Sequence, residues 1–554
     1  MNILLVNLTR FGDQLQSQSA INALGSAGSV DGGRKNGVCL VCLPNFSGAS
    51  KLLSNLSMVY PLPHDGFLAK LRQSWPLAVH ELAEWRERLW ESFKPDLVYN
   101  LTSSVSSRML SRYLAAELSV HGFGLDEFGF GQTPPWAAFL QGSSAMRTIS
   151  PFNIVDLFRA VAGKSVGSED DYRLLEPLPE AVDGMRGRIG DMADESYGWK
   201  GTRPEYEGFI GFQLGASEER RRWPLEYFVS LGESVYREHR LIPVLFGSKD
   251  EEPLEQRYAE RAAVPFVSLI GRTSLQELAA ALCSVQCLVS NDTGTMHLAA
   301  GLGRKVVGFF LATAQAWDTG PYLEDCCSLE PGLACHPCAF GAACPNGLRC
   351  RQAIRPELVA CLISKYLRTG RWQAYEEAPV FAASSFDAAT ERTRIWVSVK
   401  DKYGCMELSS ISGHGRDART IWFMEQRHFL RQFLDRTATG EFKPWAPPYP
   451  LELAAEEREK LAGELGRLEM QLTLLLEQGR MLALKPLPPL RERFLGTLRK
   501  VSVAFASSAY LASLKLLWDI DVQEQGSSLE GAIRCINQYS SLIEMLLQRV
   551  KLGV

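Results

Sequence analysis

The 554-residue sequence lacks an excess of charge of either sign. Lysine and arginine together number 59, aspartate and glutamate 63, and the formal net charge is −4. A protein that coats nucleic acid carries a strong basic excess, which this composition does not provide. We therefore expect no nucleic-acid partner.

Long hydrophobic runs are also missing. The longest apolar stretch, roughly residues 306–314, is too short to cross a bilayer. The first residues have neither the charged start nor the apolar length of a secretory signal. These absences predict a cytoplasmic protein, and they leave peripheral association with a membrane surface open.

Cysteine, by contrast, occurs 13 times, and four cysteines fall within sixteen residues. In a reducing compartment, clustered cysteines indicate metal ligands or reactive thiols rather than disulfides. The four are Cys335, Cys338, Cys344 and Cys350, spaced C-x2-C-x5-C-x5-C. Four thiolates suit structural zinc or a single iron, with His336 as an alternative ligand. The sequence thus predicts a structural iron or zinc at this loop, and four reduced thiols are the alternative.

Short apolar runs alternate with helical patterns over roughly the first 370 residues, which is typical of parallel, doubly wound α/β sheets. We predict an N-terminal Rossmann-like domain over residues 1–165 and a connector over 166–206. A C-terminal Rossmann-like domain follows over 207–374, with the cysteine loop at 326–351. The two domains are expected to face each other across a cleft, because ligands of open α/β sheets bind beyond the carboxyl ends of the strands.

Residues 375–554 are predicted to form a mainly helical accessory region. Within it, leucines recur at alternating spacings of four and three residues, which places them on one helix face. These leucines are Leu461, Leu465, Leu468, Leu472 and Leu475. Such a stripe suits either the core of a helical bundle or a contact between copies of the chain.

Segment 10–13, Arg-Phe-Gly-Asp, follows the first predicted strand and precedes a helix. Gly12 permits a tight turn, and Asp13 would lie at the helix entrance, where the helix dipole favours the ionised carboxylate. An ionised carboxylate in a cleft can act as a general base. The alternative is an aspartate that only caps the helix.

Two segments of the second half are candidates for binding an anion. Segment 215–224 carries three consecutive arginines on a strand-to-helix loop, which suits a diphosphate or is simply a solvated charged loop. Segment 291–300 ends a strand with Asn-Asp-Thr-Gly and opens a helix, so that backbone N–H groups and a hydroxyl point at whatever occupies the helix start. An ordinary capped helix with a buried histidine is the alternative there.

A third, weaker segment follows another apolar strand at residues 247–252. A carboxylate in this position can accept hydrogen bonds from ribose hydroxyls, as acidic residues of nucleotide-binding folds do. A charged helix start is the alternative.

Together these segments resemble the bacterial heptosyltransferase family, glycosyltransferase family 9, over about residues 1–370. The order and spacing of segments 10–13, 215–224 and 291–300 agree with the family pattern. The resemblance implies a GT-B fold, that is, two Rossmann-like domains facing a cleft. It also implies an inverting, metal-independent transfer of a sugar from a nucleotide sugar, typically ADP-heptose.

The resemblance further implies roles for individual residues. Asp13 would be the catalytic base. The substrate-binding residues would be Ser217, Arg221, Glu251, Asp292, Thr293, Gly294 and His297. Arg221 stands where the family has a phosphate-binding lysine, Glu251 would hold the ribose, and the turn 292–297 would hold the diphosphate. The cysteine segment resembles that of heptosyltransferases that modify autotransporter proteins and hold an iron with four cysteines.

We therefore expect an inverting glycosyltransferase that moves a sugar, heptose from ADP-heptose, onto a hydroxyl of a lipopolysaccharide core or of a protein. No catalytic metal is expected. The expected partners are the nucleotide-sugar donor, that acceptor, and a second copy of the chain bound through the C-terminal helices; the expected location is the cytoplasm or the inner-membrane surface. A GT-B nucleotide-sugar epimerase or hydrolase, and a non-catalytic nucleotide-sugar-binding scaffold, are the alternatives.

Overall fold

The computed structural model describes residues 1–26, 35–167, 172–197, 205–373, 393–436, 442–525 and 528–552. The chain divides into two compact units. The first unit contains Met1–Thr102, Leu114–Ser119 and Phe152–His414. The second contains Ser103–Tyr113, Val120–Pro151 and Gly415–Val554.

The strands of the described residues are β1 Asn2–Val6, β2 Gly37–Cys42, β3 Met58–Pro61, β4 Leu97–Asn100, β5 Val120–Gly122, β6 Gly124–Leu125, β7 Gly131–Gln132, β8 Gly208–Gln213, β9 Leu241–Phe246, β10 Val267–Ser268, β11 Leu288–Asn291, β12 Val306–Phe309, β13 Cys327–Pro331, β14 Thr393–Lys400 and β15 Met406–Ser410.

The α-helices of the described residues are α1 Phe11–Gln16, α2 Gln18–Ser26, α3 His64–Gln73, α4 Trp75–Phe93, α5 Val105–Ala115, α6 Pro135–Ala145, α7 Ile154–Val161, α8 Pro179–Tyr197, α9 Leu225–His239, α10 Glu252–Ala259, α11 Leu275–Cys283, α12 Gly294–Gly301, α13 Ala316–Thr319, α14 Cys350–Ala353, α15 Pro356–Thr369, α16 Ala418–Leu434, α17 Ala455–Leu484, α18 Pro488–Ala506, α19 Ala512–Gln525 and α20 Leu529–Leu552.

The first sheet places its first-unit strands in the order β3-β2-β1-β4, and all of them run parallel. Residues Ile3 to Val6 of the central strand β1 are at most 2% exposed. Burial on both faces explains why this strand reads as a continuous apolar run rather than as an alternating one. The order changes direction between β1 and β4, and the segment that carries Asp13 follows β1.

The second sheet has eight strands in the order β10-β9-β8-β11-β12-β13-β14-β15. The first six are parallel and repeat the order of dinucleotide-binding domains, with the change of direction between β8 and β11. Strands β14 and β15 extend the sheet in antiparallel fashion beyond β13. The sequence analysis grouped residues 393–410 with the accessory region, whereas the structure pairs them with the second sheet.

Two parallel sheets flanked by helices, followed by helices from Ala418 onwards, confirm the predicted α/β fold class. Several of the apolar runs form buried inner strands, such as β1, β2 and β9. A short strand over Thr393–Lys400 is compatible with the sequence, but its pairing with the second sheet was not predicted, because it joins residues more than sixty positions apart.

Trp223 is the centre of the second sheet's packing. Its ring stacks on Phe309 with centroids 4.2 Å apart, and it is 1% exposed. Its indole N–H donates to the carbonyl of Ile354 at 2.9 Å. The tryptophan therefore fixes the end of the arginine-bearing segment against β12.

The second unit is largely a helical bundle in which α17 packs against α18 and α20. All five leucines of the predicted stripe, Leu461, Leu465, Leu468, Leu472 and Leu475, have no exposed surface. They form part of the bundle core, so this stripe is not available as a contact between copies. The homo-oligomer itself stays a prediction.

No single helix among the described residues is long and apolar enough to cross a membrane. Residues Pro488–Ala506 and Ala509–Gln525 reach that composition only as a pair, which is bent by 104°.

We predict that Trp223→Ala lowers the free energy of unfolding of the first unit by about 3–5 kcal/mol, because the large ring leaves a cavity and Phe309 loses its stacking partner. Urea unfolding of the full chain measures this change. The control Trp75→Ala removes a tryptophan that is 68% exposed in the same unit, and we expect it to change stability by no more than about 0.5 kcal/mol. Equal effects of the two substitutions would contradict the prediction.

Candidate active site

Asp13 lies in the first turn of α1, immediately beyond the carboxyl end of β1. Arg10 occupies the N-cap position, so Asp13 lies within the first turn and is not the N-cap residue. The preceding loop is shaped by two hydrogen bonds: Leu8 N donates to Thr102 Oγ1 at 2.9 Å and Thr9 N donates to Asn7 Oδ1 at 3.1 Å. The fold thus places a partly exposed carboxylate where the helix dipole favours its ionised form.

The turn that carries Asp13 contacts the start of α12. This helix follows β11 of the second sheet, and both sheets belong to the first unit. A Cβ atom on Gly294 would lie 2.7 Å from Cδ1 of Phe11, and one on Gly12 would lie 3.4 Å from Cδ2 of His297. Gln16 Nε2 lies 3.3 Å from His297 Nδ1. The predicted base and the predicted diphosphate turn are therefore neighbours in one site.

Asp292 is the charged centre of this site and is 7% exposed. Arg221 Nη2 donates to its Oδ2 in an ion pair. Thr319 Oγ1 lies 3.4 Å from the same oxygen, and His297 Nε2 lies 3.9 Å from Oδ1. A buried carboxylate needs such partners, and in return it fixes the direction in which the guanidinium points.

Helix α12 begins at Gly294 directly after this carboxylate, with Thr293 in extended conformation at its N-cap. The first N–H groups of a helix have no partner within the helix and attract anions. Tyr172 of the predicted connector donates its hydroxyl to the His297 carbonyl at 3.1 Å, and burial raises the pKa of this phenol, so it stays a donor.

The three consecutive arginines face in different directions. Arg221 also donates to Ser217 Oγ at 3.2 Å and points to the helix start. Arg220 donates to Glu218 at 2.6 Å and to the Ala342 carbonyl at 3.0 Å. Arg222 donates to the carbonyl of Ala216, which lies in the same loop. Of the three arginines, only Arg221 remains a candidate for binding the anion. The short turn Glu219–Arg221 points successive side chains in different directions.

Glu251 lies beyond the carboxyl end of β9. Its Oε2 accepts the backbone N–H of Ser248 at 2.8 Å. A Cβ atom on Gly215 would lie 1.3 Å from its Oε1, and one on Gly247 would lie 2.4 Å from its Oε2. The carboxylate thus fills the space that two glycines leave, and it reaches the same edge of the sheet as Arg221.

Asn291, the last residue of β11, joins the two loops of the second half. Its Nδ2 donates to the carbonyls of Leu214 at 2.9 Å and Gly215 at 3.2 Å, and its Oδ1 accepts the N–H of Trp223 at 2.8 Å. One fully buried amide therefore holds both ends of the segment that bears Ser217 and Arg221.

Sequence reasoning gave no role to Asn291, Gln213 or Thr319. Gln213 and Thr319 contact the predicted site residues Glu251 and Asp292, and Asn291 holds the segment that bears Ser217 and Arg221. A polar residue that ends an otherwise apolar strand is the signal that could have identified Asn291 and Gln213. Thr319 has no such signal in the sequence, because only the folded structure places α13 beside Asp292.

Three of the predicted metal ligands lie on the loop between β13 and α14, and the fourth, Cys350, is the first residue of α14. Cys335 and Cys344 are exposed, Cys338 is partly buried and Cys350 is buried. In the part of the chain that the structure describes, no three cysteine, histidine, aspartate or glutamate side chains converge closely enough to hold a metal ion. His336 is buried, and its Nε2 lies 2.9 Å from the Ala314 carbonyl.

Hydrogen bonds to sulfur are present on this loop. Backbone N–H groups of Leu348 and Asn346 lower the pKa of the Cys344 thiol, and Asn346 Nδ2 donates to Cys335 Sγ at 3.4 Å. Burial instead raises the pKa of Cys350, and it raises the pKa of the upstream Cys326 to about 12. Cys326 is thus a buried core thiol.

Comparison with known proteins supports the resemblance seen in the sequence. The sequence model of glycosyltransferase family 9 (heptosyltransferase) matches residues 86–343. The match includes the site residues from Ser217 to His297, while Asp13, Cys344 and Cys350 lie outside it. These findings confirm the predicted resemblance to glycosyltransferase family 9.

Among curated proteins, the chain is similar to lipooligosaccharide heptosyltransferase 2 of Haemophilus influenzae, with 28% identity over 163 residues that make up 28% of this chain and 44% of the relative. The chain thus spans less than half the length of this relative. A family 9 glycosyltransferase structure from Veillonella parvula is 17% identical, with a TM-score of 0.49, and the similarity covers 66% of this chain and 97% of that one. The structure described as the dodecameric, iron-containing heptosyltransferase TibC in complex with ADP-D-beta-D-heptose is 12% identical, with a TM-score of 0.34, over 66% of this chain and 76% of that one.

We predict that Asn291→Ala lowers the free energy of unfolding by at least about 2 kcal/mol, because it leaves buried backbone groups of the 214–223 segment without partners. Urea unfolding measures the loss. Asn45→Ala, at an exposed asparagine of the same unit, is the control and should be close to neutral. Wild-type stability of the Asn291 variant would show that the loop does not depend on this amide.

Proposed function

We propose, starting from the family 9 match, that this chain is an inverting glycosyltransferase that transfers a sugar from a nucleoside diphosphate donor to an acceptor hydroxyl. One observation carries the proposal: the turn with Asp13 and the turn 292–297, which follow the carboxyl ends of strands in two different sheets, contact each other through Phe11 and Gly294. A carboxylate beside an anion-binding helix start is the pair of groups that such a transfer requires.

The donor would bind against the second sheet. Its diphosphate would accept hydrogen bonds from the first N–H groups of α12 and from Thr293, with the guanidinium of Arg221 beside it. Glu251 would accept hydrogen bonds from the ribose hydroxyls. It would use the lone pairs that its hydrogen bonds within the protein leave free. We propose ADP-heptose as the donor, because the curated relatives are named heptosyltransferases and the neighbour TibC is described with ADP-heptose bound.

In the proposed reaction the acceptor oxygen attacks the anomeric carbon of the sugar. The new carbon–oxygen bond forms as the bond from that carbon to the diphosphate oxygen breaks, so the configuration inverts. Asp13 accepts the proton of the acceptor hydroxyl. The negative charge that develops on the leaving diphosphate is stabilised by Arg221 and the helix N–H groups, which Asp292 and Asn291 hold in position before the reaction begins.

We propose a lipopolysaccharide core or a protein as the acceptor, since the curated relatives are lipooligosaccharide and lipopolysaccharide heptosyltransferases. A nucleotide-sugar donor and such an acceptor would meet at the cytoplasmic surface of the inner membrane. The protein would accordingly work in the cytoplasm or at that surface.

We propose, separately, that the cysteine loop binds one structural iron or zinc. The donor chemistry fits, because four thiols lie on one short segment and the sulfurs of Cys335 and Cys344 each accept a hydrogen bond. The side chains would have to converge on the ion. A bound ion would link the four cysteines and so hold the loop together. It would take no part in the transfer reaction.

We predict that Asp13→Asn lowers kcat of sugar transfer by about 10²–10⁴-fold, because the amide cannot take the proton of the acceptor, while donor binding is retained. Mass spectrometry of the acceptor after incubation with a panel of nucleotide sugars measures the transfer. Asp96→Asn is the control, because Asp96 lies at the amino ends of β1 and β4, whereas Asp13 follows the carboxyl end of β1.

Full transfer by Asp13→Asn would contradict the role of Asp13 as the base. Release of free sugar by the wild-type protein without a modified acceptor would instead support a hydrolase.

We predict that the purified protein contains about one iron or zinc ion per chain, measured by elemental mass spectrometry. Cys335→Ser and Cys344→Ser should each reduce the content strongly, because a tetrahedral site loses a ligand. Cys361→Ser, which changes a partly buried cysteine outside the loop, should retain the metal. Metal-free wild-type protein, or a content unaffected by the two loop substitutions, would contradict the proposed site.

A further inference from the structure

Gln213 lies at the carboxyl end of β8 and contacts two elements that the proposed donor site uses. It is 3% exposed. Its Nε2 lies 3.3 and 3.2 Å from the two carboxylate oxygens of Glu251. Its Oε1 lies 2.9 Å from Oγ1 of Thr295 in the first turn of α12. A single side-chain amide therefore connects the ends of β8 and β9 with the start of α12.

The chemistry of these three groups fixes the direction of every hydrogen bond. The ionised carboxylate of Glu251 only accepts, so the amino end of the Gln213 amide must face it and donate. The carbonyl end then faces Thr295 and can only accept. The hydroxyl of Thr295 must therefore donate its proton to Gln213.

This direction determines what Thr295 offers to a ligand. Because its proton is committed to Gln213, its oxygen presents only lone pairs towards the helix start. A phosphate oxygen would consequently be bound by backbone N–H groups and Arg221, and it would avoid Thr295. Thr295 would instead accept a hydrogen bond from a hydroxyl group of the donor.

The same amide orients Glu251. Gly215 and Gly247 leave space for the carboxylate but provide no side chain that could hold it. Its hydrogen bonds come from the Ser248 backbone and from Gln213. Without Gln213 the carboxylate keeps only the backbone contact, and it is free to rotate about that point.

We propose that Gln213 is a positioning residue that links the ribose-binding carboxylate of Glu251 to Thr295 in the first turn of α12, so that the ribose-binding group and the helix start that binds the diphosphate are held in one fixed arrangement. This inference rests on the proposed function, because Glu251 and α12 are assigned there to the donor. Gln213 itself does not contact the reacting atoms.

The variant Gln213→Met tests the proposal, because methionine has a similar length and no hydrogen-bonding amide. We expect the Kd of ADP, measured by calorimetry, to rise about tenfold, and KM for the donor to rise while kcat stays nearly unchanged, since the lost interaction is made equally in ground and transition states. Gln286→Met makes the same chemical change at an exposed glutamine near the amino end of β11 and should not alter either quantity.

A second measurement uses the free protein and does not depend on nucleotide. Gln213→Met, Thr295→Val and the double variant are compared by thermal unfolding. Because both single changes remove the same hydrogen bond, we expect the double variant to lower Tm by clearly less than the sum of the two single shifts.

Additive Tm shifts would overturn the proposed link, whether or not nucleotide binds. Coupled Tm shifts combined with an unchanged Kd of ADP for Gln213→Met would overturn the positioning role and leave a purely structural contact. Failure of wild-type protein to bind ADP or UDP would refute the proposed function; coupled Tm shifts would then still support Gln213 as the residue that orients Glu251 and Thr295.

Discussion

The missing side chain at Gly294 is the constraint on which the site depends. The ring of Phe11 occupies the space where a Cβ atom would lie, at 2.7 Å from Cδ1 of the ring. A residue with a Cβ atom would force either the ring or the helix start to move. The contact brings a segment that follows the first strand of one sheet against a segment that follows the fourth strand of the other. Gly12, the residue next to Asp13, and His297 become neighbours as a result, although 285 positions separate them.

Around this contact the second half builds its site almost entirely with fixed polar groups. Asn291 holds the loop that bears Arg221, Asp292 orients the Arg221 guanidinium, and Gln213 connects Glu251 with α12. Groups that are aligned before a ligand arrives need no reorganisation when charge develops. The arrangement therefore suits recognition of a charged, extended ligand such as a nucleoside diphosphate better than it suits a solvated surface loop.

The parallel strands and the loops at their carboxyl ends could be predicted, because buried parallel strands are continuous apolar runs and their polar loops stand out. The same reasoning located Asp13, Arg221 and the turn after β11. It could not determine that Arg220 and Arg222 turn away, since that depends on the rotation of a three-residue turn. It also missed the pairing of β14 with β13 and the link through Gln213, because both join residues distant in sequence. The leucine stripe of α17 was read correctly as one helix face, but only the packing of α18 and α20 shows that this face is buried.

The most direct test of the central claim is an experimental structure of the protein with ADP bound. The account predicts that the diphosphate lies within about 3 Å of the backbone N–H groups at Gly294 and of the Arg221 guanidinium, and that the ribose reaches Glu251. ADP bound at another place, with the start of α12 unoccupied, would contradict it.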